Sequence, residues 1–247
     1  MNWFKRTFAQ KSVLDRLEEG VLDEAVPLTT LLRQVIVLGG RAASQPLRTW
    51  AQHELRGYTE PDTELPDYRL LHALIQTDAR SVAWEIKAQT ISVLDLLDFA
   101  QDVVKEQLPM TYGVGKIEAL IASADPTKPV KFSLPGAAEL ARMMSYERRH
   151  MGVFVDVVYW SVHPSSLQDV IDQVRNRLAQ FVAELRATMP MGAPEPTPGQ
   201  VRQAVQQIIT IDAGDHSPVT VYAPVAQANQ ESAAIASIRL ELPDDHP

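Results

Sequence analysis

Residues 164–188 carry Leu167, Val170, Ile171, Val174, Leu178, Phe181, Val182 and Leu185 at helical spacing, which makes one continuous apolar stripe on a predicted helix of about seven turns. A stripe of that length must be covered, so the rest of the chain has to present complementary apolar faces. The means are present, because 45% of the 247 residues are hydrophobic and 22% are charged, an ordinary globular balance. Ser166 and Asp169 have the spacing of a capping box at the start of this helix.

Upstream, Ser12 is placed to cap a helix bearing Val13, Leu14, Leu17 and Val21. Pro27 opens a second helix with Leu28, Leu31, Leu32, Val35 and Ile36 on one face, weakened near its end by Gly39 and Gly40. Ser44 and Pro46 open a third, which turns Leu47, Trp50, Ala51 and Leu55 inward and stops at a left-handed Gly57. These three short helices predict a small bundle. Residues 68–76 and 81–89 read as a hairpin turning at Thr77-Asp78-Ala79-Arg80, with Val82, Trp84 and Ile86 on its apolar face.

Ser92 then predicts a long helix carrying Leu94, Leu97 and Val104 and ending at Pro109. A shorter helix over 114–123, a strand over 130–134 and a helix over 135–146 follow. Residues 152–162 give the strongest strand signal, apolar on both faces except for Asp156, which needs a partner or an edge.

Pro190, Pro194, Pro196 and Pro198 mark a semi-rigid linker. Beyond it, strands are expected over 207–212, 219–222 and 234–242, too short to bury a core unaided. The fold class is α+β: a mostly helical N-terminal domain with a small β-sheet or hairpin, plus a short β-prone C-terminal tail. The divisions are 12–190, a linker at 191–199, and a tail at 200–247. Apolar Ile209, Ile211, Val219, Val221 and Tyr222 make that tail the expected surface of a homo-oligomer.

Zero cysteines exclude disulfides, thiolate metal sites and a cysteine nucleophile. The formal charge of −8 argues against a broad phosphate-binding surface, although a nuclease needs only a local basic patch. No stretch has the roughly 20 apolar residues of a membrane span. Residues 1–12 lack a signal peptide's apolar core. The expected location is therefore cytoplasmic. Trp3, Phe4 and Phe8 among basic residues leave a membrane-surface contact as the rival to a simple docked terminus.

Several segments carry a family resemblance. They are Leu28-Thr29-Thr30-Leu31-Leu32-Arg33, Trp50-Ala51-Gln52-His53-Glu54-Leu55-Arg56-Gly57-Tyr58, Leu65-Pro66-Asp67-Tyr68-Arg69, Tyr112-Gly113-Val114-Gly115-Lys116-Ile117-Glu118 and Val174-Arg175-Asn176-Arg177-Leu178. Together they resemble the AbiTii domain over about residues 12–190. The resemblance implies a bacterial abortive-infection setting; with no convincing catalytic set, action through self-association and a phage or host protein as partner is expected. It implies no reaction and no catalytic residues. Physically, Tyr58 and Tyr68 are placed to clamp the loop between bundle and hairpin, and Arg69 to bond a helix end or a carboxylate such as Glu54. Trp50, Glu54, Tyr58, Tyr68 and Arg69 are thus either a structural cluster or a binding site.

The sharpest chemical pattern is Asp67 followed by Glu85 and Lys87. In PD-(D/E)xK nucleases two carboxylates hold Mg2+ or Mn2+, and a lysine two residues along the strand serves the attacking water. The bland alternative is a solvated charge pair, with no cofactor. Gly113-Val114-Gly115-Lys116 lacks the longer loop and the Ser or Thr of a phosphate loop, so it reads as a helix start. Arg148, Arg149 and His150 read as a solvated turn, and His53, His72, His163 and His216 show no metal-ligand spacing.

Overall fold

The computed structural model describes residues 11–60, 63–191, 193 and 195–210, with the side chains of 207–210 excepted. The aromatic segment at Trp3, Phe4 and Phe8 and the expected strands at 219–222 and 234–242 lie outside these residues. So do Ile211, Val219, Val221 and Tyr222.

Helix α1 (Val13–Leu22) begins as its sequence demands. The Ser12 hydroxyl accepts the Asp15 N–H at 3.0 Å and Asp15 accepts the Ser12 N–H at 3.0 Å, so two orphan donors are satisfied reciprocally. Helix α2 (Leu28–Arg41) runs through both glycines, and α3 (Gln45–Arg56) ends at Gly57. A 3-10 turn (Asp67–Arg69) leads into β1 (Leu70–His72), β2 (Leu74–Arg80) and β3 (Glu85–Thr90). Next come the short α4 (Asp98–Gln101), β4 (Gln107–Pro109), α5 (Val114–Ser123), β5 (Val130–Ser133) and α6 (Ala137–Glu147). Strand β6 (Phe154–Val162) and the helices α7 (Pro164–Thr188) and α8 (Pro198–Thr210) complete the α+β architecture.

Among the described residues two antiparallel sheets form. One is the pair β1-β4; the other has the order β3-β2-β6-β5. Central β6 pairs with β2 through Ile75↔Trp160 and Thr77↔Val158, and with β5 through Phe132↔Trp160. Ile75, Phe132, Val158 and Trp160 therefore share one face, and they join the core with the buried stripe of α7. The same core takes in the buried faces of α1, α2 and α3. Arg175 of α7 donates to the carbonyls of Gly20 (3.3 Å), Asp23 (3.2 Å) and Val26 (2.9 Å), pinning the α1–α2 connection to the long helix.

Several expectations are corrected. The hairpin turns at Ser81–Trp84, where the Ser81 N–H meets the Trp84 carbonyl at 2.8 Å, and not at residues 77–80. Its second strand buries no apolar face: every residue of β3 is exposed, as are Val82 and Trp84. Residues 92–109 do not form one helix, because the backbone is extended at Leu96 and Leu97 and again in β4. Helix α7 is capped by His163, whose Nδ1 accepts the Ser165 N–H at 3.3 Å, and not by Ser166. Gly57 adopts φ 97°, ψ 170°, which is outside the left-handed helical region.

Residues 207–210 are helical, where a strand was expected. The Thr197 N–H donates to Gln200 Oε1 (2.8 Å) at the start of α8, and Val201, Ala204 and Val205 are buried. Asp156 is exposed and forms an ion pair with Arg80 at 3.0 Å, which supplies the partner that the one charged residue of this strand needs.

Candidate functional site

On α3, Leu47, Ala51 and Glu54 lie on one helical face, and all three are buried. An acid on a core face needs partners, because a buried charge without them is strongly unfavourable. Glu54 has three. Tyr58 and Tyr68 both donate their hydroxyls to Oε1, at 2.6 and 2.5 Å, and Arg69 pairs with Oε2. Glu54 and Arg69 are each 0% exposed.

Trp50 Nε1 donates to the Tyr68 hydroxyl at 3.2 Å, and the Arg177 guanidinium of α7 stacks 3.9 Å over the Tyr68 ring. The second arm of Arg69 donates to the Met110 carbonyl at 3.2 Å and the Tyr112 carbonyl at 2.5 Å. Arg69 thus binds Glu54 with one nitrogen and a backbone segment with the other, and does not make the two-pronged carboxylate contact. Four of the five segments singled out in the sequence, those around Trp50, Tyr68, Tyr112 and Arg177, meet in this network.

Burial, and after it the negative charge of Glu54, push the Tyr58 and Tyr68 phenols well above their ordinary range. They stay protonated in the fold at a pH where unfolded tyrosines, with pKa about 10, begin to ionise. The unfolded state therefore loses protons first, so the stabilisation is full below about pH 10 and declines above it. A melting temperature that is level from about pH 8 to about 9.5 and then falls is expected, with a shallower fall in Tyr68→Phe. Parallel curves for the two proteins would contradict this assignment.

The backbone that Arg69 grips is one wall of a cleft of about 410 Å³. Residues 108–112 form that wall and β5 a second one, and Lys116 and Leu120 of α5, Pro135 and Trp160 also line the cleft. No carboxylate lines it. Lys116 Nζ lies 3.3 Å from the centroid of the Tyr112 ring and has no ion-pair partner among the described residues. Lys131 is engaged with Asp78 at 2.9 Å and lies 4.1 Å from the Tyr159 ring centroid. A second groove, of about 470 Å³ between α5 and α7, has the opposite character, with Glu24, Glu118 and Asp172 along it.

The nuclease pattern is dispersed. Asp67 is exposed in the 3-10 turn ahead of β1, and β1 pairs with β4. Glu85 faces Arg80 at the far end of β2 from Asp67, six residues or about 20 Å of strand beyond Leu74. Glu85 and Lys87 pair with each other at 3.1 Å in solvent. Among the described residues no group of three His, Asp or Glu side chains is placed to hold a metal ion, and no helix is long and apolar enough to cross a membrane.

Comparison with known proteins adds one finding. The family model described as AbiTii matches residues 12–210, which takes in the buried network, both walls of the cleft and α8. No curated protein and no solved structure matches the chain.

Proposed function

The chain belongs to the AbiTii family, and on that premise we propose that it is a bacterial anti-phage protein of the abortive-infection type, acting in the cytoplasm through self-association and partner binding. The observation that carries the reading is where the family's polar residues go. Buried Glu54 and Arg69, with half-buried Tyr68, brace the 108–112 wall of an open cleft, an arrangement suited to holding a recognition surface. Trp50, Glu54, Tyr58, Tyr68 and Arg69 serve binding from behind that wall. Self-association falls to the tail beyond α8, with Ile209, Ile211, Val219, Val221 and Tyr222 as its apolar surface.

The test is phage challenge of cells with and without the gene, together with variants. Fewer plaques are expected with the intact gene and equally with Glu85→Ala and Lys87→Ala, and less protection when the chain stops after Thr210. The full chain should have a larger mass in solution than that truncation. Loss of protection in Glu85→Ala, joined to magnesium-dependent cleavage of nucleic acid by the purified protein, would replace this reading with the nuclease.

A further inference from the structure

Consecutive residues of a strand point their side chains to opposite faces. A cavity lying on one face of a strand is therefore lined by every second residue. The cleft is lined by all four residues of β5 and by all five residues of 108–112. With Phe132 and Trp160, which share one face of the sheet, also lining it, the cleft takes in that face together with the backbone of β5.

The outer edge of β5 is open: among the described residues it is the terminal strand of its sheet and pairs only with β6. The 108–112 segment is already bonded, through the Met110 N–H to the Arg69 carbonyl, the Tyr58 N–H to the Thr111 carbonyl, and Arg69 to the Met110 and Tyr112 carbonyls. In an antiparallel pair alternate residues turn their N–H and C=O away from the partner strand. Apart from the ladder to β6, the backbone of β5 makes no hydrogen bond among the described residues. An open edge of this kind is a template for another strand.

The side chains around the edge fix the chemistry of the occupant. Phe132 and Trp160 supply an apolar floor, and Met110, Leu120 and Val130 supply apolar sides. The charged groups are Lys116 and Lys131, with no acid to oppose them inside the cleft. Lys131 already has Asp78, whereas among the described residues Lys116 has only the Tyr112 ring.

We propose that this cleft binds a short, extended, acidic segment of a partner polypeptide, which adds to the free edge of β5 as a strand and sets a carboxylate against Lys116. The inference deepens the partner-binding half of the function proposed above and rests on it. Its in vitro test is separate from phage protection, so failure of the site and failure of the defence role are told apart.

The probe is a fluorescein-labelled acetyl-Val-Glu-Val-Asp-Val amide titrated with the full chain, with binding followed by anisotropy and by backbone amide shifts. Two control peptides accompany it: one with both acids replaced by lysine, and one N-methylated at alternate backbone nitrogens. Saturable binding of the acidic peptide is expected, with the largest amide shifts at Val130–Ser133. It should weaken at least tenfold in the exposed-site variant Lys116→Glu and be lost with both control peptides. No saturable binding would overturn the proposal. So would equal binding of the N-methylated peptide, or displacement by adenosine monophosphate at the same concentration, which would assign the cleft to small anions.

Discussion

Arg69→Met is expected to lower the unfolding free energy by about 3–5 kcal/mol, the penalty for leaving one member of a buried ion pair without the other. The geometry places this substitution among the most damaging in the domain. Glu54 would keep its two tyrosine donors but lose the cation on Oε2, and the carbonyls of Met110 and Tyr112 would lose their donor together. Glu54→Leu should be comparably harmful, since it strands the guanidinium and two phenols in a site where Arg69 is fully buried. The double variant should recover part of the sum, because no unpaired charge remains. It should still fall short of the native protein, since each orphaned buried polar group costs about 1–3 kcal/mol. Urea unfolding of the four proteins measures all of this. Additive single-variant losses would mean that Arg69 and Glu54 are not energetically paired.

What could be read in advance was whatever depends on local patterning. Helix α7 was legible because eight apolar residues keep one stripe through its whole length, and all eight are buried. The start of α1 was legible because a capping box is a four-residue device. The hairpin turn was misplaced because Asp78 looks like a turn residue. In the fold it sits mid-strand at a bulge, where its carboxylate accepts the Ala88 N–H (2.8 Å) and the Tyr159 hydroxyl (2.9 Å) and pairs with Lys131. Those partners come from three other strands or their neighbours, so no short window contains the explanation.

Helix α8 had a local signal that β-branched Ile208, Ile209 and Thr210 masked. Thr197 and Gln200 have capping spacing around Pro198 at the first helical position, and Val201, Ala204 and Val205 fall on one face. Glu54 also gave notice, as an acid in line with Leu47 and Ala51 on a helix face that must be buried. The cleft gave none. It exists because the segment after β4, held by Tyr58 and Arg69, comes to lie beside the terminal strand β5, and only long-range pairing brings the two together.

Gly57→Ala is expected to cost about 3–5 kcal/mol, combining backbone strain with collision. At φ 97°, ψ 170° the residue occupies a region open essentially to glycine. A β-carbon there would also drive into the Thr111 carbonyl oxygen. That oxygen cannot retreat, because it accepts the Tyr58 N–H at 2.8 Å, and Gly57 itself is held by its N–H bond to the His53 carbonyl at 2.7 Å.

Gly113→Ala separates the two causes. Its φ of −65° suits any residue, yet its β-carbon would strike the Leu55 carbonyl oxygen. The end of α3 and the start of α5 are thus in direct backbone contact, joined by the Gly57↔Tyr112 bridge. Gly113→Ala should cost about 1–3 kcal/mol from overpacking alone. The difference between the two variants then measures the strain at Gly57. Because Tyr112 is both the bridge residue and part of the cleft wall, each variant should also weaken the acidic peptide under conditions where it remains folded. A Gly113→Ala protein with native stability and native peptide affinity would mean that the two helix ends do not touch through backbone, and the wall of the cleft would then lack the support assigned to it.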